Sequence, residues 1–133
     1  MKNEELCNLF KILVDTPIKI LNISSPDIKD RNNLTKYDEL YNFIEQSKTI
    51  QSLEMSNIQI HPNNQLFVKA KKSKTLTRLD LSKNTGVSGI YKNLTHLNLS
   101  WNNITDPKSL KCLDTSIIKL DLTGNQIPSL LFT

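Results

Sequence analysis

Five hydroxyl side chains, Ser24, Ser56, Ser82, Ser100 and Thr123, hold the same place in five similar stretches of this 133-residue chain, so nucleophilic catalysis is the first chemistry to test. A serine becomes a nucleophile beside a base that a third group orients. The two histidines, His61 and His96, do not join an acid and any one of these hydroxyls in a predictable arrangement, and G-x-S-x-G is absent. Serine at a strand end more simply bonds to nearby backbone. His61 and His96 lack the spacing of a metal site, and three glycines in all cannot build a loop that cradles phosphate. Neither a metal nor a cofactor is expected, and enzyme activity is not.

The hydroxyls belong to a nine-residue phrase, apolar-x-x-apolar-x-apolar-x-x-Asn. It reads LTRLDLSKN at 76–84, LTHLNLSWN at 94–102 and IIKLDLTGN at 117–125. Weaker copies, IKILNISSP at 18–26 and IQSLEMSNI at 50–58, carry Pro26 and Ile58 in place of the asparagine. A phrase returning at such intervals marks a stacked repeat protein, because one unit cannot bury its own apolar face. Within each phrase the apolar fourth and sixth residues alternate with mostly polar third, fifth and seventh ones, the period of a strand buried on one side. Short parallel strands are therefore expected near 20–23, 52–55, 78–81, 96–99 and 119–122.

The phrases start at intervals of 32, 26, 18 and 23 residues, so the strand is constant and the return path varies. Leu34, Tyr37, Leu40, Tyr41 and Ile44 follow helical spacing, and Thr35 with Asp38 resembles a capping box, predicting a helix over 35–46. A shorter helix is expected over 64–72. The 18-residue interval, with Thr85, Gly86, Gly89 and Ile90, has room only for a turn or an extended return. Asp106 before Pro107 reads as a helix cap followed by proline at the first helical position, opening a turn or two through Leu110 and Leu113. Leu6, Leu9, Phe10, Leu13 and Val14 form one face of an amphipathic helix, which would cover the flank of the first unit. Helices on one side and narrow strands on the other bend such a stack and place the sheet on its inner curve. The expected organisation is one domain over 1–133: a capping helix within 1–17, about five repeats over 18–127, and an incomplete end at 128–133. That apolar end reads as the edge of an excerpt, a surface that packs on a partner, or a crude lid.

Composition narrows the setting. An apolar content of 38% suits one core without disulfides or metal, and Cys7 and Cys112 stand far apart, which points to a reducing, intracellular compartment. The five Asn-x-Ser/Thr matches, beginning at Asn22, Asn33, Asn93, Asn98 and Asn103, read as chance in an asparagine-rich chain. No apolar run is long enough to span a bilayer, and 6–14, interrupted by Lys11, does not read as a secretory signal. The net charge of +4 is largely lysine. Lys69, Lys71, Lys72 and Lys74 lie near Leu66, Phe67 and Ala70, the inward stripe of the shorter helix, so they read as its solvated face and not as a nucleic-acid site.

The phrase resembles the leucine-rich repeat over roughly 18–127. QSKTIQSLEMSN and KSKTLTRLDLSKN, each preceded by a helix, resemble the ribonuclease-inhibitor-like subclass found in long horseshoe proteins, cytosolic immune sensors and tropomodulin-type actin-capping proteins, and the last two units resemble shorter generic repeats. The resemblance implies an α/β solenoid: a curved parallel sheet of about five strands on the concave face, with helices and turns on the convex face. The asparagine ladder should be confined to Asn84, Asn102 and Asn125, whose amides can both donate and accept where a turn hides backbone groups. Ile28, Ile60, Val87, Ile104 and Ile127 should join the core.

The third, fifth, seventh and eighth positions are expected to face outward. Arg78, His96 and Lys119 would then make a basic row beside the acids Glu54, Asp80 and Asp121, with Asn98 among them. Trp101, at an eighth position, reads either as an exposed interface anchor or as a ring packed over a neighbouring turn near Lys83 or Lys119. The function expected is a non-catalytic protein-interaction scaffold, its site formed by Glu54, Arg78, Asp80, His96, Asn98, Trp101, Lys119 and Asp121. Replacing Asp80 and Asn98 with lysine should then abolish capture of a partner without changing the melting temperature. The alternative is the substrate-recognition part of a larger enzyme such as a ubiquitin ligase, or a pathogen effector secreted into a host cell to act on its signalling.

Overall fold

In the computed structural model, the structure describes residues 3–24, 38–58, 73–84, 93–110 and 116–128. Five three-residue strands lie side by side in chain order: β1 Ile20–Asn22, β2 Ser52–Glu54, β3 Arg78–Asp80, β4 His96–Asn98 and β5 Lys119–Asp121. All are parallel, and Leu21, Leu53, Leu79, Leu97 and Leu120 stand in one register across them. With its helices, this open sheet is an α/β repeat solenoid.

Each strand ends one residue earlier than the alternation predicts. The sixth residue of the phrase still bonds across the sheet, as when Met55 N donates to Asp80 O at 2.8 Å and Leu81 N to Asn98 O at 2.9 Å, but the chain is already turning. The turn is laddered as well. Asn57 N donates to Ser82 O, Lys83 N to Ser100 O and Trp101 N to Thr123 O, each at 2.8–3.0 Å. Asn57, Lys83, Trp101 and Gly124, the four eighth residues described, all have positive φ, between 57° and 74°. The same left-handed step therefore returns the chain after β2, β3, β4 and β5, and these units stack in phase.

The inward residues fill one core. Leu53, Leu79 and Leu97 at the fourth position, Met55, Leu81 and Leu99 at the sixth, and Ile50, Leu76 and Leu94 at the first are all buried. Ile58, standing where later units have asparagine, is buried too, so that unit substitutes apolar packing for the amide. Ile104 is buried and Ile127 packs against the core; Ile28, Ile60 and Val87 lie outside the described residues.

Helix α1 (Asn3–Leu13) packs on α2 (Asp38–Gln46), with Phe10 stacked on Phe43 at a ring separation of 6.0 Å. Leu13 and Val14 continue the contact with the core. On α2, Leu40, Tyr41 and Ile44 are buried as their spacing predicts, and Phe43 widens the stripe. Residues 35–37, including Thr35, lie outside the described residues, as do the helix expected over 64–72 with Lys69, Lys71 and Lys72, and the return through 85–90. Asp106 does cap the following turn: its Oδ1 accepts from Lys108 N at 2.9 Å, and Pro107–Leu110 is a 3₁₀ turn.

Candidate functional site

Pairing of the strands sets two rows of outward side chains across the sheet. The third positions form the row Ile20, Ser52, Arg78, His96, Lys119, and the fifth positions form Asn22, Glu54, Asp80, Asn98, Asp121. Neighbours in a row are about 4.8 Å apart, the strand spacing, and the rows are separated by about 6.6 Å along the strands. A groove of about 330 Å³ lies over β2 to β5, lined by Glu54, Arg78, Asp80, His96, Lys119 and Asp121 among others. Cations and carboxylates thus occupy opposite lanes of one shallow groove, and the floor between them is backbone because the fourth-position leucines point inward.

Most of the fifth-position side chains also hold the turn that follows them. Oδ1 of Asn22, Asp80, Asn98 and Asp121 accepts the amide of Ser24, Ser82, Ser100 and Thr123 respectively, at 2.8–2.9 Å. Glu54 is one methylene longer and stands apart from this pattern. The expectation that Asp80 and Asn98 can become lysine without thermal consequence is therefore corrected: each substitution removes an acceptor from a turn amide. The signal was legible, since Asp or Asn two residues before Ser or Thr is the sequence of an Asx turn.

The seventh position is corrected in part. Ser82 and Ser100 are buried within the stack and do not face outward, whereas Thr123 is exposed as expected. Ser82 Oγ donates to Ser56 Oγ at 2.9 Å, and Ser24 Oγ accepts from Ser56 N at 2.9 Å, so the hydroxyls link consecutive units. Two serines the sequence reading passed over do similar work before the strands. Ser47 Oγ accepts from Ile50 N and Ser73 Oγ from Leu76 N, both at 3.1 Å, and the shared S-K-T in QSKTI and KSKTL was their signature.

Asn84, Asn102 and Asn125 reach back one unit. Their Nδ2 groups donate to Met55 O, Leu81 O and Leu99 O at 2.8–3.0 Å. Asn84 Oδ1 accepts from Ile58 N, while Asn125 Oδ1 takes both Asn102 N and Ile104 N. Asn102 Oδ1 is buried and has no partner among the described residues.

His96 is oriented by its neighbour. Thr95 Oγ1 donates to Thr77 O at 3.2 Å, which uses its one hydrogen, so the 2.8 Å contact with His96 Nδ1 requires the ring nitrogen to donate. Asp121 is held below its ordinary pKa of 3.8, first by the Thr123 amide, then by the Thr123 hydroxyl and, at a distance, by Lys119, with desolvation opposing. It stays ionised.

Trp101 is 58% exposed and has φ 57°, a conformation in which a bulky residue is rare. Its ring rests against Gly124, the eighth residue of the next unit. One part of the indole is thus packed over a turn while the rest faces solvent.

No group of three His, Cys, Asp or Glu residues that could hold a metal ion occurs among the described residues. No described helix is long and apolar enough to cross a membrane. A family model for the leucine-rich repeat matches residues 72–89 and 92–107, and no curated protein matches the chain. Such repeats are generally protein-interaction modules and typically non-catalytic.

Proposed function

We propose that this chain, a leucine-rich-repeat protein, is a non-catalytic interaction module that binds a protein partner in the groove over β2 to β5. The observation that carries the reading is the pair of oppositely charged lanes: Arg78, His96 and Lys119 on one side, Glu54, Asp80 and Asp121 on the other. Charges of both signs at fixed spacing favour a protein surface of complementary pattern and disfavour a polyphosphate, whose charges would meet the carboxylates of Asp80 and Asp121 about 6.6 Å from Arg78 and Lys119. Trp101, in the turn that follows β4, supplies an exposed aromatic contact of the kind that dominates interfaces. We read the compartment as intracellular, from the cysteine usage.

The experiment is affinity purification from cells that express the protein, comparing wild type with Arg78→Glu/Lys119→Glu and with Trp101→Ala. Arg78 and Lys119 are exposed and hold no turn amide, so the double charge reversal is expected to remove the captured partner while leaving the melting temperature within about 2 °C. Trp101→Ala is expected to weaken capture. Undiminished capture by the double variant would rule out the groove.

A further inference from the structure

Resting on that reading, we infer that the segment seated in the groove is an α-helix lying across the strands, its acidic ridge against Arg78, His96 and Lys119 and its basic ridge against Glu54, Asp80 and Asp121. The argument is one of pitch. Arg78, His96 and Lys119 sit on consecutive strands β3, β4 and β5, so they are spaced about 4.8 Å apart and span about 9.6 Å, with the cations Arg78 and Lys119 at the two ends. One helical turn rises about 5.4 Å, and acids at i, i+4 and i+7 of a helix span about 10.5 Å, so each acid meets its own basic side chain to within about an ångström. An extended peptide laid the same way repeats its side chains every 6.6 Å or so, and three of them overrun the cations by more than 3 Å. A helix is also about 10 Å wide with its side chains, enough for its two flanks to meet lanes about 6.6 Å apart.

The acidic lane is organised before any partner arrives. The carboxylates of Asp80 and Asp121 are each held at Oδ1 by a turn amide at 2.9 Å, which restricts their rotamers. Groups already immobile lose less conformational freedom on binding. Asn98 interrupts this lane on β4, so the basic ridge needs cations over β2, β3 and β5 and none over β4. Trp101, in the turn that follows β4, is the chain's one tryptophan and is 58% exposed, so its emission supplies a second signal beside anisotropy.

The test uses the full chain and a helical peptide carrying glutamates at i, i+4 and i+7 on one flank and lysines on the other. A scramble of the same composition, a peptide with lysines on both flanks, and a single-stranded RNA complete the set. Binding is followed by peptide anisotropy and Trp101 emission. The ridged peptide is expected to bind about tenfold tighter than its scramble, and Arg78→Glu/Lys119→Glu to lose that advantage. The double variant has two acidic lanes and should prefer the peptide with lysines on both flanks. Equal binding of ridged and scrambled peptides overturns the inference, as does a double variant that still prefers the ridged peptide, or RNA binding that persists at moderate salt. If the double variant still fails to capture its cellular partner when the ridged peptide shows no preference, the helix is wrong and the groove stands. If capture is undiminished, the groove itself is wrong.

Discussion

The indole of Trp101 rests on the α-carbon of Gly124, one repeat further on, so closely that a β-carbon at 124 would come within 2.6 Å of the ring. Both residues adopt the left-handed step that follows their strands. Gly124→Ala therefore meets two obstacles, a φ of +74° and the ring itself. Stability should fall by about 1–3 kcal/mol, with a shift in Trp101 emission as the indole is displaced. An unchanged spectrum would mean that the ring does not lie there.

Equivalent threonines in adjacent units should respond oppositely to the same change. Thr49 Oγ1 donates to Ile18 O at 2.7 Å, whereas Thr75 Oγ1 is buried without a partner among the described residues. Thr49→Val should lower stability by about 1 kcal/mol, and Thr75→Val should be neutral or raise it by a similar amount, because it removes an unsatisfied hydroxyl. Urea unfolding of both variants decides the comparison.

Removing asparagines from the ladder should be costly in proportion to burial. Asn84 is almost wholly buried and satisfies Met55 O and Ile58 N, while Asn125 is half-buried at the last unit. Asn84→Ala should lose about 2–4 kcal/mol and Asn125→Ala less, measured by urea unfolding. Equal losses would show that the amides are not working as buried cross-unit bonds.

Acid should expose the role of Asp121. Its pKa is lowered on folding, so its contribution to stability is complete above about pH 4, the unfolded value, and is lost as pH falls through the lower folded value. Asp121→Asn keeps an oxygen for the Thr123 amide but does not titrate. The variant should match wild type more closely near pH 3 than at pH 7, and urea midpoints across that range test it.

Side chains that both line the groove and hold a turn separate by substitution type. Asp80→Asn retains the acceptor for Ser82 N and should leave stability near wild type, while Asp80→Lys should lose about 1 kcal/mol. Thermal melts of the pair distinguish the capping role from the charge. They also supply the control that any binding experiment at Asp80 needs.

Strand positions were legible because each phrase repeats a local alternation that matches the pleat of a strand, and the five leucines from Leu21 to Leu120 needed only parallel stacking to align. That alternation misled at Ser82 and Ser100. Carrying it past the strand end put them outside, whereas the units stacked on either side bury them. Phe43 escaped the helical stripe because α1 covers a second side of α2 through Phe10, a contact between segments far apart in the chain.

The sequence by itself determined the repeat, its strands and the columns of side chains they carry, since these follow from residue types at short, regular spacing. Only the tertiary structure decided which members of those columns are committed to holding turns, where the Trp101 ring rests, and which nitrogen of His96 faces the groove. Those outcomes depend on hydrogen bonds and contacts set by backbone angles and by neighbouring units, and no local pattern of side chains encodes them.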